Sequence, residues 1–586
     1  MKRTISVLFL LTICISAFAE LFSANGIWYS TSGTNAVVTS SYNKYSGDIV
    51  IPAKVAYNGE IYNVIAIGGS AFKDCVNLHS LIIPNSVTNI YTDAFKGCTG
   101  LSEITLSNAL TVLGDEIFAG CSSLRAIDIP EGVTTIGEWA FRDCKSLASI
   151  SLPSTVNKIG QGAFYRTAIT EIQIPEGVVD LGFITFYECK SLMNITLPKS
   201  LKSIGQSCFS GCSNLQNIIL PSQLEIVDEA AFKNCFSLQQ IQLPNSIKQL
   251  GDNLFYYCSS LNYVKLPTGI RRLPSYIFTL CTSLKSIEIP DNIVEFGWSV
   301  FENSGIENIT IPNGVEEISH TAFYNCCSLK SVKLPSSLLT IGYEAFKSCL
   351  NLETIDIPLS VKVIDYGAFS DCRAINHLKL PSQLETLGGA VFKDCHKLES
   401  ISIPEKISNI YVSCFENCRS LTTIEFSGDL NGIGDNAFAY CSCLNSITTP
   451  QSVTNIGAQA FLGCYKLTSV TLGKNLELIG TNAFKGCDSL IAFTSENHEP
   501  PYVDFLCDDR IYTQAKLFVP IDAIEKYKNT SPWNLFSNIL DISQSGIDDV
   551  FLDSNNPVII YNIMGHKLSH PQRGVNIING RKVLVQ

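Results

Sequence analysis

The sequence predicts a repeat solenoid, on three observations. A nine-residue motif recurs along the chain: "IGEWAFRDC" ends at Cys144, "IGYEAFKSC" at Cys349, "IGDNAFAYC" at Cys441 and "IGTNAFKGC" at Cys487. Its phenylalanine returns nineteen times from Phe72 to Phe484, and sixteen of the eighteen steps are 23 residues while two are 22. A fixed period of this size marks stacked coils, because one unit cannot bury its own apolar face. Finally, 46% of the 586 residues are hydrophobic and only 16% charged, which suits a large core and not a disordered chain.

The coil after Phe323 shows how one unit is built. Its "LKSVKLP" alternates Val332 and Leu334 inward with Lys333 outward, a strand pattern. Pro335 cannot donate to a continuing ladder and ends the strand. Leu338 and Ile341 form a second inward pair. Gly342 is expected to supply a turn of positive φ, and "YEAF" leaves room only for a short helical turn before Phe346.

Seventeen of the nineteen motifs carry the cysteine. Disulfides between stacked positions are disfavoured: Cβ atoms one rung apart would lie ~4.8 Å from each other with parallel vectors, whereas a bridge wants ~3.8 Å and convergence. No C-x-x-C pair or paired histidine supports a metal site. The reading that fits is a small buried residue. Thr167 and Ser304 replace it in the two 22-residue repeats, so cysteine goes with one loop geometry. Phe141 with Cys144, Phe346 with Cys349 and Phe438 with Cys441 are expected rungs of this core ladder. Cys208 and Cys414 take the usual alanine position, and Cys327, Cys443 and Cys507 fall outside the pattern.

The strand segment, of form L-x-x-L-x-L, resembles leucine-rich repeats. "SLPSTVNKIGQGAF" (151–164) and "IPEGVTTIGEWAFRDCKSL" (129–147) resemble the BspA-like family in particular. That resemblance implies a leucine-rich-repeat solenoid with a parallel sheet on one face and short turns or helical turns on the other.

The ends differ from the array. Residues 1–19 have the form of a secretory signal, with Lys2 and Arg3, an apolar run from Ile5 to Ile15, and Ala17-Phe18-Ala19 before cleavage. "LTIC", ending at Cys14, loosely resembles a lipobox, although Ile13 stands where a small residue belongs. No stretch is long and apolar enough to cross a membrane. Residues 20–62 are expected to form a β-rich N-terminal cap, with a hairpin turn at Asn58-Gly59, and 63–494 the repeats. Residues 495–544 are expected to close the array with a strand at "KLFVP", a short helix at "IDAIEKYKN" and buried aromatics near Trp533. Residues 545–586 should hold three short strands. In "IYNIMGHKL" and "GVNIINGRKVLVQ" they resemble C-terminal sorting modules of the Bacteroidetes kind, which implies export and surface attachment; a small β-module without a sorting role is the competing reading.

The chemistry expected of this chain is that of a surface. None of the seven histidines sits in H-E-x-x-H or beside a G-x-S-x-G elbow, and no P-loop or dinucleotide fingerprint appears, so neither enzyme nor cofactor is expected. Net charge is −12 without basic clusters interleaved with aromatics, which argues against nucleic acid. The outward side of the strands is polar. In the middle repeats one row alternates charge through Lys265, Glu288, Lys333, Asp356 and Lys379, and a neighbouring row carries Lys330 and Glu353. These seven are the candidate ligand-binding residues. Opposed to this is the reading that they pair with each other on an exposed sheet, at ~0–1 kcal/mol each.

Family resemblance implies a non-catalytic surface protein, secreted and exposed at the outer membrane, that binds host matrix or surface proteins, glycans or other bacteria. A structural spacer without a specific ligand is the alternative.

Overall fold

The structure is a computed structural model. It describes residues 19–545 and the backbone of four further strands, Ile560–Asn562, Lys567–Leu568, Gly574–Ile578 and Arg581–Val585. The expected signal segment, apart from Ala19, lies outside the described residues, as do the segments between those last strands. Residues 1–290 and 291–586 make two compact units. Each contains a run of parallel β-solenoid coils with three stations per coil.

At the first station short strands pair in parallel with one coil's offset. In the first unit Ala126–Asp128 pairs with Ser149–Ser151, and Gln240–Gln242 with Tyr263–Lys265. In the second, Asn308–Thr310 pairs with Ser331–Lys333. The middle residue of each points inward and its neighbours outward, as pleating requires. The second station was not foreseen as a ladder. There two-residue strands pair coil to coil: Val112–Leu113, Thr135–Ile136 and Lys158–Ile159 in one unit, Glu317–Ile318, Thr340–Ile341 and Val363–Ile364 in the other. Leu338 and Ile341, expected as an inward pair, are both fully buried beside it.

The third station is the motif itself. The Phe141 N–H donates to the Ala163 carbonyl at 2.8 Å, and the Phe346 N–H to that of Ala368 at 2.8 Å. Successive phenylalanine rings stack, with centroids 5.2–5.9 Å apart from Phe72 to Phe278 and 5.1–5.9 Å apart from Phe301 to Phe484. No helix forms here. Glu344 and Ser348 adopt left-handed φ of 49° and 60° around Phe346, and each interrupts a helical run.

Gly342 corrects an expectation. It is not among the positive-φ residues; the left-handed position belongs to Glu344, two residues on. The glycine is needed for close approach instead. A Cβ there would stand 2.8 Å from the Ile318 carbonyl oxygen and 3.1 Å from the His320 nitrogen in the coil before. Gly342→Ala should therefore cost about 1–3 kcal/mol through overpacking against backbone. Denaturant midpoints check this, and an unchanged midpoint would show that the coils separate freely.

The flanking segments cover aromatic surface. In the N-terminal segment the strands Leu21–Ala24, Ile27–Ser32 and Asn35–Thr39 form two hairpins, and Asn58-Gly59 turns Lys54–Tyr57 into Glu60–Ile67 with φ of 51° and 82°. The Tyr45 ring lies 4.6 Å from that of Phe72. In the second unit, Ala492–Ser495, Lys516–Val519 and Asn538–Asp541 continue the parallel sheet begun at Ser446–Thr448. Phe493 meets Phe484 edge-on at 5.2 Å, and buried Trp533 donates its Nε1–H to the Pro501 carbonyl at 2.9 Å. The expected helix is there as a 3-10 turn, Ile521–Ala523, running into Ile524–Lys528. The C-terminal segment has four antiparallel strands where three were expected.

Candidate binding surface

The recurring motif cysteines are expected as small buried residues of a core ladder. They are buried, unbridged thiols, and Cys144, Cys349 and Cys441 are each 0% exposed, as are Phe141, Phe346 and Phe438. These three thiols each donate to a carbonyl one coil back: Cys144 Sγ to Phe118 O at 3.1 Å, Cys349 to Phe323 O at 3.2 Å, Cys441 to Phe415 O at 3.1 Å. That carbonyl already accepts an N–H from its own coil, as Phe118 O does from Cys121 at 3.0 Å. The S–H thus takes the second lone pair of a buried oxygen. This explains cysteine better than apolar size alone, since valine or alanine would leave that lone pair empty. In the short coil Thr167 Oγ1 donates to its own Phe164 carbonyl at 3.1 Å. Burial pushes the thiols above their ordinary range, most of them far above it, so they are poor nucleophiles. Cys327 and Cys443 are half-buried and stand outside the column.

All seven candidate face residues are exposed. Lys265 and Glu288 belong to the first unit and the other five to the second. Lys330 is paired, its Nζ 2.8 Å from Glu307 Oε2. Lys265, Glu288, Lys333, Glu353, Asp356 and Lys379 make no ion pair among the described residues. Mutual neutralisation therefore accounts for one of the seven, and the remaining charges face solvent without a partner.

The structure brings Asp356 and Lys379 together and leaves Lys330, Lys333 and Glu353 off to one side. Three adjoining concavities follow the strand face of the second unit. One of about 460 Å3 holds Asp356, His377 and Lys379. The next, about 670 Å3, shares Leu359, Lys379 and Ser400 with it and extends to Ser427. The third, about 910 Å3, shares Glu405 and Glu425 with the second and reaches Pro450. Hydroxyls line much of this groove: Ser400, Ser402, Thr423, Ser446 and Thr448. Leu359 stands in its wall with 68% of its surface exposed.

Leu359 escaped the sequence reading, although a signal existed. It follows Pro358, and the corresponding positions in the other repeats hold polar residues or glycine, such as Ser154, Lys199, Ser336 and Gly428. The third concavity has a signal too. Ser427 and Gly428 stand where other repeats have proline and a polar residue, and a Cβ on Gly428 would meet the Glu405 carbonyl oxygen at 2.2 Å.

A family model for the BspA type leucine rich repeat region matches residues 65–193, 179–307, 248–376, 295–418 and 364–491. The chain belongs to the BspA-type leucine-rich repeat family. The chain is also similar to several solved structures. A leucine-rich repeat protein from Bacteroides ovatus is 23% identical over 83% of this chain and 99% of its own, with a TM-score of 0.32. A leucine rich cell surface protein from Faecalibacterium prausnitzii is 26% identical over 70% of this chain and 95% of its own, with a TM-score of 0.32. The leucine rich repeat protein of T. pallidum is 29% identical over 34% of this chain and 92% of its own, with a TM-score of 0.31. Among the curated proteins, none matches the chain. Membership in the BspA-type family points to a protein-binding or structural role, and repeat proteins of this kind are in general non-catalytic scaffolds. Among the described residues, no helix is long and apolar enough to cross a membrane, and no group of three or more His, Cys, Asp or Glu is placed to hold a metal ion.

Proposed function

We propose that this BspA-type protein is exported, displayed at the cell surface, and binds a protein partner along the groove between residues 354 and 450. The observation that carries this is the groove itself: an exposed leucine flanked by unpaired charges of both signs. Covering Leu359 removes apolar surface from water, worth about 1.5–3 kcal/mol if burial is complete. Asp356 and Lys379 give the approaching partner register and steering. The hydroxyl rows offer hydrogen bonds on both sides of them. Adhesion to host matrix proteins or to other microbes is the role this surface suits. The signal-like residues 1–19 and the sorting-like segment 545–586 support export and attachment, with 20–62 and 495–544 capping the repeats between.

Purified protein spanning Glu20 to Gln586 is tested against arrays of extracellular-matrix proteins. Saturable binding is expected, weakened at least about tenfold, or ~1.4 kcal/mol, by the double reversal Asp356→Lys with Lys379→Glu. Leu359→Asp should weaken it comparably without altering thermal unfolding. A folded protein that binds nothing would favour the spacer reading.

A further inference from the structure

The coil from Phe164 to Phe186 is one residue shorter than most, and a notch of about 360 Å3 opens at its loop. Lys145 from the coil before and Lys190 from the coil after line it, with Arg166 and Ala168 between them and the Glu188 carboxylate also in the lining. The two lysines hold the same station two coils apart, roughly 9–10 Å by strand spacing. Both are exposed, and neither makes an ion pair among the described residues. Arg166 pairs with Glu188 at 2.8 Å and Arg142 with Asp143 at 3.3 Å. The notch itself thus holds three cations, Lys145, Arg166 and Lys190, and one carboxylate, Glu188, in a chain whose net charge is −12.

Aromatic rings adjoin the cations. The Arg142 guanidinium carbon lies 5.3 Å from the Trp139 ring centre, and that of Arg166 lies 4.9 Å from the Tyr165 ring centre. Tyr165 and Tyr187 stack at 5.2 Å, 5° from parallel. Two of these bulky residues hold their positions at a cost in backbone strain: Trp139 and Arg166 have left-handed φ of 56° and 55°. The same two stations are left-handed in other coils whatever residue they hold, as at Asn253 and Tyr276 for Trp139, or Asn234 and Leu280 for Arg166. Gly162 makes room for the indole, since a Cβ there would stand 2.5 Å from Trp139 Cε3.

Shortening a coil does not by itself call for this arrangement. The second short coil, Phe301 to Phe323, carries Glu302 and Asn303 where the first has Tyr165 and Arg166, and Cys327 where the first has Lys190. The second short coil thus lacks the cations and rings of the first.

We propose that the notch binds a sulfated polysaccharide, with a sulfate seated between Lys145 and Lys190 beside Arg166. The site is separate from the strand-face groove and stands independently of it. Its volume is near the lower bound for small-ligand sites, which suits one charged sugar unit of a longer chain. The ring stack speaks against single-stranded nucleic acid: Tyr165 and Tyr187 cover each other's faces and leave no slot for a base between them.

The test is titration of the same Glu20–Gln586 protein with heparin, neutral dextran and polyglutamate. Saturable heparin binding is expected, with none to dextran and at least about tenfold weaker binding to polyglutamate. Lys145→Glu with Lys190→Glu should weaken heparin at least about tenfold and make the slope of log affinity against log salt shallower by about 2. The same charge change at Lys54 and Lys485, in the first strands and the last repeat, should shift heparin affinity less than about threefold. Thermal unfolding checks that each variant folds. Absence of heparin binding, equal affinity for polyglutamate, or equal loss in both double variants would each overturn the proposal.

Discussion

Replacing Phe346 by alanine is expected to destabilise the second unit by about 3–5 kcal/mol. Phe346 is fully buried, with its ring 5.1 Å from that of Phe323 and 5.4 Å from that of Phe369. Truncation removes apolar burial and two stacked contacts, each worth about 0.5–1.5 kcal/mol beyond area. The void cannot close easily. The backbone at this station is tied to the next coil by Phe346 N–H to Ala368 O at 2.8 Å, and Cys349 and Ala345 beside it are already fully buried. Coils stack in one dimension, so the damage should stay near coils 323–369 and split the unfolding of the unit into stages. Denaturant titration followed by tyrosine and tryptophan fluorescence measures both effects. A loss below about 1 kcal/mol would mean the column packs loosely, with the coil ladders carrying the stability.

The coil's architecture was legible because its causes are periodic. Phenylalanine every 23 residues, the Val332–Leu334 alternation and the proline after it each reflect a constraint that every coil must meet. The site was less legible because it consists of departures from the period. Lys333, Asp356 and Lys379 stand out in the sequence as an alternating row, but the concave part of the surface begins at Thr354 and runs on past Glu425. Curvature comes from how coils settle on one another, and no single repeat encodes it. Leu359 and Ser427-Gly428 were visible as exceptions, yet only the structure shows that they line one continuous groove. Gly342 departs from its expected role for a related reason. Its demand comes from the Ile318 carbonyl one coil away, which local turn chemistry cannot reveal. The Cys–Phe hydrogen bond is likewise made between coils, so the sequence could point to a buried cysteine without saying why it carries sulfur.

That thiol column makes the fold sensitive to alkali. Burial holds Cys189 at about 11 and Cys258 and Cys326 at about 12, against an ordinary value of 9.0. Cys189 is raised least of these because the Thr167 hydroxyl partly offsets its burial. Raised folded-state values mean that the neutral thiol is preferred in the native protein. Stability is then fully present below about pH 9, where both states keep the proton. It falls as the unfolded chain ionises and continues to fall until the folded values are passed. Each thiol contributes about 1.4 kcal/mol per pH unit within its window. Cys189 and Cys258 together should remove about 3 kcal/mol per pH unit from the first unit between pH 9 and 11. Cys212, Cys235 and Cys281 in that unit are raised well above 9.0 by the same burial and add with the same sign. Tyr29 and Tyr45, pushed up to about 12 chiefly by burial, join only above about pH 10. Under reducing conditions, denaturant midpoints should therefore hold steady from about pH 7 to 8.5 and collapse before about pH 11. Unfolding at about pH 10 should release several protons. A midpoint unchanged up to about pH 10.5 would contradict the buried, protonated column, because only thiols that are oxidised or open to solvent would leave stability indifferent to hydroxide.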